Sequence, residues 1–297
     1  MDDALLRSIG LHCPNLVKLH IHFDPEPFGS DSTAASFEYM IKGLPALEDI
    51  LVEDYNMPNT ILPLLGLYCP RLKYGQIDNI ACTDDGFVSM CQGCPLLESL
   101  TLRHLNDISD ISLLAVATYC PMLKELSISY VDCFTIDSLC TLFASCTLLT
   151  SVTLIDLPHI TDKAILTLLK CCTQLTTLSL CDTPRLTDYC IQAIPTYFPR
   201  IQSLELRHIR TISHETIVQI SRHCKQMSTL LLQGCINLNN YTVVAVLENG
   251  KNLSKVKIDS SNIRVCDEFK NKCDALTANR RYRTLSLTYS NTSVYTS

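Results

Sequence analysis

Three observations predict an α/β solenoid, with short parallel strands along the inner side of an arc and helices along the outer side. The first is a phrase, Cys94-Pro95-Leu96-Leu97-Glu98-Ser99-Leu100-Thr101-Leu102, that keeps returning along the chain. The second is its spacing: it starts at 94, 120, 146, 172, 198, 224 and 250, each start 26 residues after the last. The third is a helix-capping residue that keeps the same period. A unit this short buries its apolar face only by stacking on copies of itself.

The phrase returns as Cys120-Pro121-Met122-Leu123 with Leu126 and Ile128, then from Cys146 with Val152 and Leu154, and from Cys172 with Leu178 and Leu180. Phe198, Cys224 and Gly250 open three more. Upstream the register loosens to starts at Cys69, Leu44 and Cys13, which makes ten repeats, most of them 26 residues long. The alternation Leu-x-Leu reads as a strand with one face in the core. Gly75 replaces the expected leucine in the third strand, either a local weakness or a place where backbone approaches backbone.

Capping residues fall at Thr83, Ser109, Thr135, Thr161, Thr187, Ser213 and Asn239. Their side-chain oxygens suit the unpaired N–H groups of a first helical turn. Asp84, Asp110, Asp162 and Asp188 follow four of them and suit the positive end of the helix dipole. Apolar residues then fall three apart, as at Leu113 and Val116 or Ile191 and Ile194, so a helix of roughly ten residues fills the space before the next Cys-Pro. The expected organisation is a repeat domain over 1–276 that begins mid-repeat, and a C-terminal cap or flexible tail over 277–297.

Composition narrows the function. A net charge of -6 disfavours a protein that grips nucleic acid or a membrane through a positive field. No apolar run approaches the roughly 20 residues of a membrane span. The N-terminus carries no secretory pattern, so the expected setting is cytoplasmic or nuclear, with the 17 cysteines reduced.

Cys-Pro-x-Leu-x-x-Leu-x-Leu, then Ile or Leu, Thr or Ser, and Asp, resembles the cysteine-containing leucine-rich repeats of the F-box/LRR proteins. The likeness runs from Asp3 to about Cys273. It implies a horseshoe that captures a protein substrate for ubiquitination and proteasomal degradation. In that family a separate F-box binds a Skp-type adaptor and, through it, a cullin. No F-box precedes the first repeat here. Asp3, Leu6 and Ile9 stand before Cys13 as Asp110, Leu113 and Val116 stand before Cys120, so the expectation is the repeat portion of a longer ancestor, monomeric on its own. The alternative is a repeat adaptor or inhibitor with no ligase link.

No cofactor and no catalysis are expected. Cys91-Gln92-Gly93-Cys94 and the pair Cys171-Cys172 invite a metal or nucleophile reading. Cys94 and Cys172, however, hold the phase position of Cys13, Cys69, Cys120, Cys146 and Cys224, a buried turn where Cys acts as a small apolar filler. His20 and His22 point to one side of a strand, with Asp24 near, but exposed polar residues are the plainer reading.

The binding surface is expected where strand residues alternate with the core leucines. By register this strip includes Tyr74, Arg103, Glu125, Glu205, Arg207 and Gln233, with a rim of His104, Tyr130, Asp156, Asp182 and His208 just past the strands. Much of its middle is small. Arg and Tyr often anchor interfaces, so reversing Arg103 and Arg207 to Glu is expected to weaken partner capture and leave the fold intact. The loop Phe23–Ser32 is read as an idle insertion or a rim lid. In the tail, Leu285, Leu287 and Tyr289 alternate like a strand behind Arg280, Arg281 and Arg283, so it is either a cap on the last repeat or a mobile tail.

Overall fold

A computed structural model describes residues 3–22, 34–53, 59–260, 262–264, 266–277, 284–289 and 292–293. The loop 23–32, Asp24 and the tail arginines lie outside the described residues. The chain forms two compact units, Met1–Leu149 and Thr150–Ser297. Both are built from the expected leucine-rich-repeat unit of strand, turn and helix.

The first unit runs α1 (Asp3–His12), β1 (Lys18–His22), α2 (Ala34–Lys42), β2 (Asp49–Glu53), α3 (Ile61–Tyr68), β3 (Tyr74–Asp78), α4 (Asp84–Gly93), β4 (Ser99–Arg103), α5 (Asp110–Tyr119), β5 (Glu125–Ser129) and α6 (Ile136–Ser145). Its five strands pair in parallel and in strict order, with Ile50 opposite Gly75, Gly75 opposite Leu100 and Leu100 opposite Leu126. The second unit runs β6 (Ser151–Ile155), α7 (Asp162–Cys171), β7 (Thr177–Cys181), α8 (Asp188–Gln192), α9 (Ile194–Tyr197), β8 (Ser203–Arg207), α10 (His214–His223), β9 (Thr229–Gln233), α11 (Asn240–Asn249), β10 (Lys255–Asp259), α12 (Asp267–Thr277), β11 (Thr284–Tyr289) and β12 (Thr292–Ser293). β6 to β11 are parallel, and β12 turns back antiparallel on β11. The tail segment that alternates like a strand is thus paired with β10, Lys255 opposite Thr284.

In the first unit the Cys-Pro phrase has a physical cause. Proline disfavours helical backbone in the residue before it and suits the second position of a turn. The helix therefore stops at the cysteine: Cys94 N–H closes the last turn on Met90, and its carbonyl accepts from Leu97 N–H at 3.2 Å. Its thiol reaches the Cys69 carbonyl of the preceding repeat at 3.6 Å. Cys69 reaches Leu44 and Cys224 reaches Phe198 in the same way. Cys13 departs from the expected burial and is half-exposed.

One helix differs from expectation. The segment after Thr187 is not one helix but two short ones, α8 and α9, joined at Ala193. Pro195 has no N–H to give to the Ile191 carbonyl, so the ladder breaks there.

The caps do more than expected. All but Thr161 accept a backbone N–H in their own helix. The four aspartates that directly follow a cap reach forward to the cap of the next repeat. Asp84 accepts from Ser109 N–H at 2.9 Å and from the Ser109 and Ser112 hydroxyls at 2.7 and 2.6 Å. Asp110 does the same to Thr135, Asp162 to Thr187 and Asp188 to Ser213. The carboxylate thus ties helix to helix as well as suiting its own dipole.

Candidate functional site

In the first unit the strand residues facing away from the helices carry the expected site residues. Tyr74 opens β3 with 43% of its surface exposed, and Glu125 opens β5, also exposed. Arg103 closes β4. His104 and Tyr130 follow β4 and β5, both exposed.

Register also places Asp78 on this strip, but sequence reasoning did not show that it organises the others. Its carboxylate is buried at the end of β3, opposite Arg103 in the ladder. Arg103 reaches it at 3.5 Å and the His104 Nδ1 at 3.0 Å, so one carboxylate fixes two neighbouring side chains. The His104 ring in turn stacks on Tyr130, 4.6 Å between centroids and 3° between planes. The signal was available: strict parallel register places Asp78 opposite Arg103, and carboxylate opposite guanidinium is a stabilising cross-strand pair. Because Asp78 is held this way, reversing Arg103 to Glu would set two carboxylates against each other. The expectation that this reversal spares the fold is therefore withdrawn, and Arg103→Gln is the cleaner probe.

In the second unit Glu205 lies mid-strand, accepts from the Ser179 hydroxyl at 2.9 Å and pairs with Arg207. Asp182 accepts from His208 Nδ1 at 2.7 Å if that nitrogen carries the proton. Gln233 is half-buried at the end of β9, and its carbonyl accepts from the His208 N–H. Asp156 is exposed, and its N–H bonds the Cys181 carbonyl. The small residues expected to leave open ground are partly covered: Ser129, Ser179 and Cys181 are all buried.

The rim residues share a backbone feature that sequence reasoning missed. Asn79, His104, Tyr130, Asp156, Asp182 and His208 all have φ between 51° and 56°, and Gly234 has 63°. This left-handed corner follows β3 to β9, and at Asn79 it turns the N–H toward the strand of the next repeat, onto the Arg103 carbonyl at 3.0 Å. Asn, Asp, His and Gly tolerate this conformation, which explains five of the six non-tyrosine corners at once and the sixth, Gly234, doubly. A Cβ on Gly234 would sit 2.1 Å from the His208 ring. Part of the rim's composition is thus set by backbone geometry.

The buried cysteines at the helix-to-strand turn are held as thiols. Burial pushes the thiols of Cys69, Cys94 and Cys146 up to about 12 and that of Cys224 to about 11. A hydrogen bond with Cys120 and burial raise Cys91 as well. Nucleophiles and metal ligands need the thiolate, which these settings oppose. Among the described residues no three His, Cys, Asp or Glu side chains converge on a metal position, and no helix is long and apolar enough to cross a membrane.

Two likenesses to known proteins bear on the fold and its setting. No protein-family model matches the chain. The F-box protein MAX2 homolog A of Petunia hybrida is 29% identical over a 140-residue alignment, in a match that covers 39% of this chain. The matched stretch spans 19% of that protein's length. Among solved structures, a chain of the yeast Rad7 and Elc1 complex superposes with a TM-score of 0.67 at 14% identity. That match covers 99% of this chain and 82% of the other. At such low identity the Rad7 likeness is one of fold.

Proposed function

We propose that this chain is a non-catalytic protein-binding module that presents a captured partner for ubiquitination within a ligase assembly. The observation that carries the reading is the Asp78, Arg103, His104 and Tyr130 array. It holds a guanidinium and an aromatic stack at the surface in fixed positions, and fixed side chains lose little freedom on binding. Arginine and tyrosine are the side chains that most often dominate interface energetics. The repeat phrase shared with F-box/LRR proteins and the likeness to an F-box protein favour the ligase setting. The groups offered on the strand faces suit recognition, and burial favours the protonated thiol at Cys94 and Cys146.

The test is affinity capture of the tagged full chain from its native cells, followed by mass spectrometry. A Skp-type adaptor and a cullin among the captured proteins, lost together with the substrate ubiquitination signal when the chain is removed, are the expected result. Capture of other partners with neither component would favour an adaptor or inhibitor outside a ligase.

A further inference from the structure

We propose that Tyr74 and Glu125 form the two walls of a notch that takes a lysine or arginine side chain from a cationic segment of the partner. The inference rests on the protein-binding reading above and adds the chemistry of what is bound. β3, β4 and β5 are consecutive strands, and their first residues are opposite one another: Tyr74, Ser99 and Glu125. Ser99 is small, so the middle of this row is low, while its flanks carry an exposed phenol ring and an exposed carboxylate.

The dimensions suit a cation. Two strand steps separate the walls by about 10 Å at the Cα level. A cation is held within about 6 Å of a ring centroid and about 2.8 Å from a carboxylate oxygen, which together span such a gap. The Ser99 hydroxyl donates to Glu125 Oε2 at 3.1 Å and so inclines the carboxylate over the low middle of the row. That hydroxyl is neutral. Among the described residues Glu125 has no cationic partner, in contrast to the neighbouring acids: Asp49 holds Lys18 at 2.9 Å, Glu48 holds Lys73 at 2.8 Å and Glu98 holds Lys124 at 2.8 Å. The lysines nearest Tyr74 are therefore engaged elsewhere, and the charge left unmatched in this row is negative. In the next row Thr101 and Ser127 continue the low ground. The chain's net charge of -6 steers a cationic segment toward it.

The experiment is fluorescence anisotropy of fluorescein-labelled tetra-arginine titrated with the full chain at low salt. Glu125→Gln and Tyr74→Ala are each expected to weaken binding, by roughly two- to fivefold for loss of the ring. Tyr74→Phe keeps the ring and should keep most of the affinity. Asp85→Asn removes an equal charge from the exposed start of α4, away from the row, and should change little. The proposal is overturned if Tyr74→Ala binds as the parent does, or if Asp85→Asn loses as much as Glu125→Gln, since the probe then senses only net charge. Circular dichroism on each variant identifies a misfolded one, and Tyr74→Phe against parent then decides the ring's part. The probe needs no ligase component, so failure of the ligase reading in cells and failure of this notch are separate results.

Discussion

The imidazole of His104 lies flat on the phenol ring of Tyr130, although both residues occupy left-handed backbone. For a bulky side chain that conformation costs about 1–2 kcal/mol, while the stacked pair returns about 0.5–1.5 kcal/mol. The two nearly cancel. Tyr130 is thus not the residue that stability alone would place at this corner, where the other described repeats use Asn, Asp, His or Gly.

The consequence is a prediction about two substitutions. Tyr130→Gly removes the ring and the strain together, so its unfolding free energy in urea should stay within about 1 kcal/mol of the parent. Tyr130→Val loses the stack and, being β-branched, adds strain in left-handed backbone, so it should cost about 2 kcal/mol. Equal losses in both variants would show that ring packing, not backbone strain, governs the position.

Thr183 supplies a cleaner case. Its side chain is buried, and among the described residues its hydroxyl has no hydrogen-bond partner. The same position one residue past the corner is filled by Leu105, Val131, Leu157 and Ile209 in other repeats, all buried. A buried hydroxyl without a partner is destabilising, and valine has nearly its shape. Thr183→Val should therefore raise stability by about 1 kcal/mol, read as a higher urea midpoint at unchanged slope. A fall would mean that the hydroxyl finds a partner in solution.

Ten strands were legible to the residue, from Lys18–His22 to Lys255–Asp259, because strict alternation leaves one register that buries the leucines. Ile191 and Ile194 have the spacing of one continuous helix, yet Pro195 outweighs that spacing. The candidate site was legible only as a row of side chains. Which of them hold one another depends on contacts between repeats, so the hold of Asp78 on Arg103 and His104 escaped notice and Ser179 looked open when it is covered. The left-handed corners were readable in principle from Asn79, Asp156, Asp182 and Gly234 standing at one phase. Tyr130 and the two histidines disguised the pattern.

Two glycines answer to opposite rules. Gly75 sits mid-strand with room to spare: an added Cβ would meet only the Leu100 and Leu97 methyls, at 3.6 and 3.7 Å, so the missing leucine leaves a local gap and no close backbone approach. Gly75→Ala should stabilise by about 0.4–1 kcal/mol, by restricting the unfolded chain and adding contact. Gly93, at the end of α4, is pressed against Gly66 of α3, where an added Cβ would lie 1.7 Å from the Gly66 carbonyl oxygen. Gly93→Ala should force the helices apart and cost about 1–3 kcal/mol. Thermal melts of the two variants should move in opposite directions.

The ladder of aspartates predicts how the fold responds to acid. Burial alone would raise the pKa of Asp84, but the hydrogen bonds from Ser112 and Ser109 outweigh it and hold the carboxyl below its ordinary 3.8. Asp110 and Asp188 are lowered on the same balance. A carboxyl whose pKa is lower folded than unfolded adds stability that is fully present above the ordinary value and disappears as pH falls through the folded one. Unfolding midpoints should therefore be flat from neutral pH to about 5 and drop steeply below about 4. Asp84→Asn keeps an acceptor but no charge. It should cost about 1–2 kcal/mol at neutral pH, the scale of hydrogen bonds to a charged acceptor, and the gap to the parent should close as the parent's own carboxylate is protonated. If the gap instead stays constant down to the lowest pH at which both remain folded, then shape and not charge ties Asp84 to Ser109 and Ser112, and the ladder is held by hydrogen-bond geometry alone.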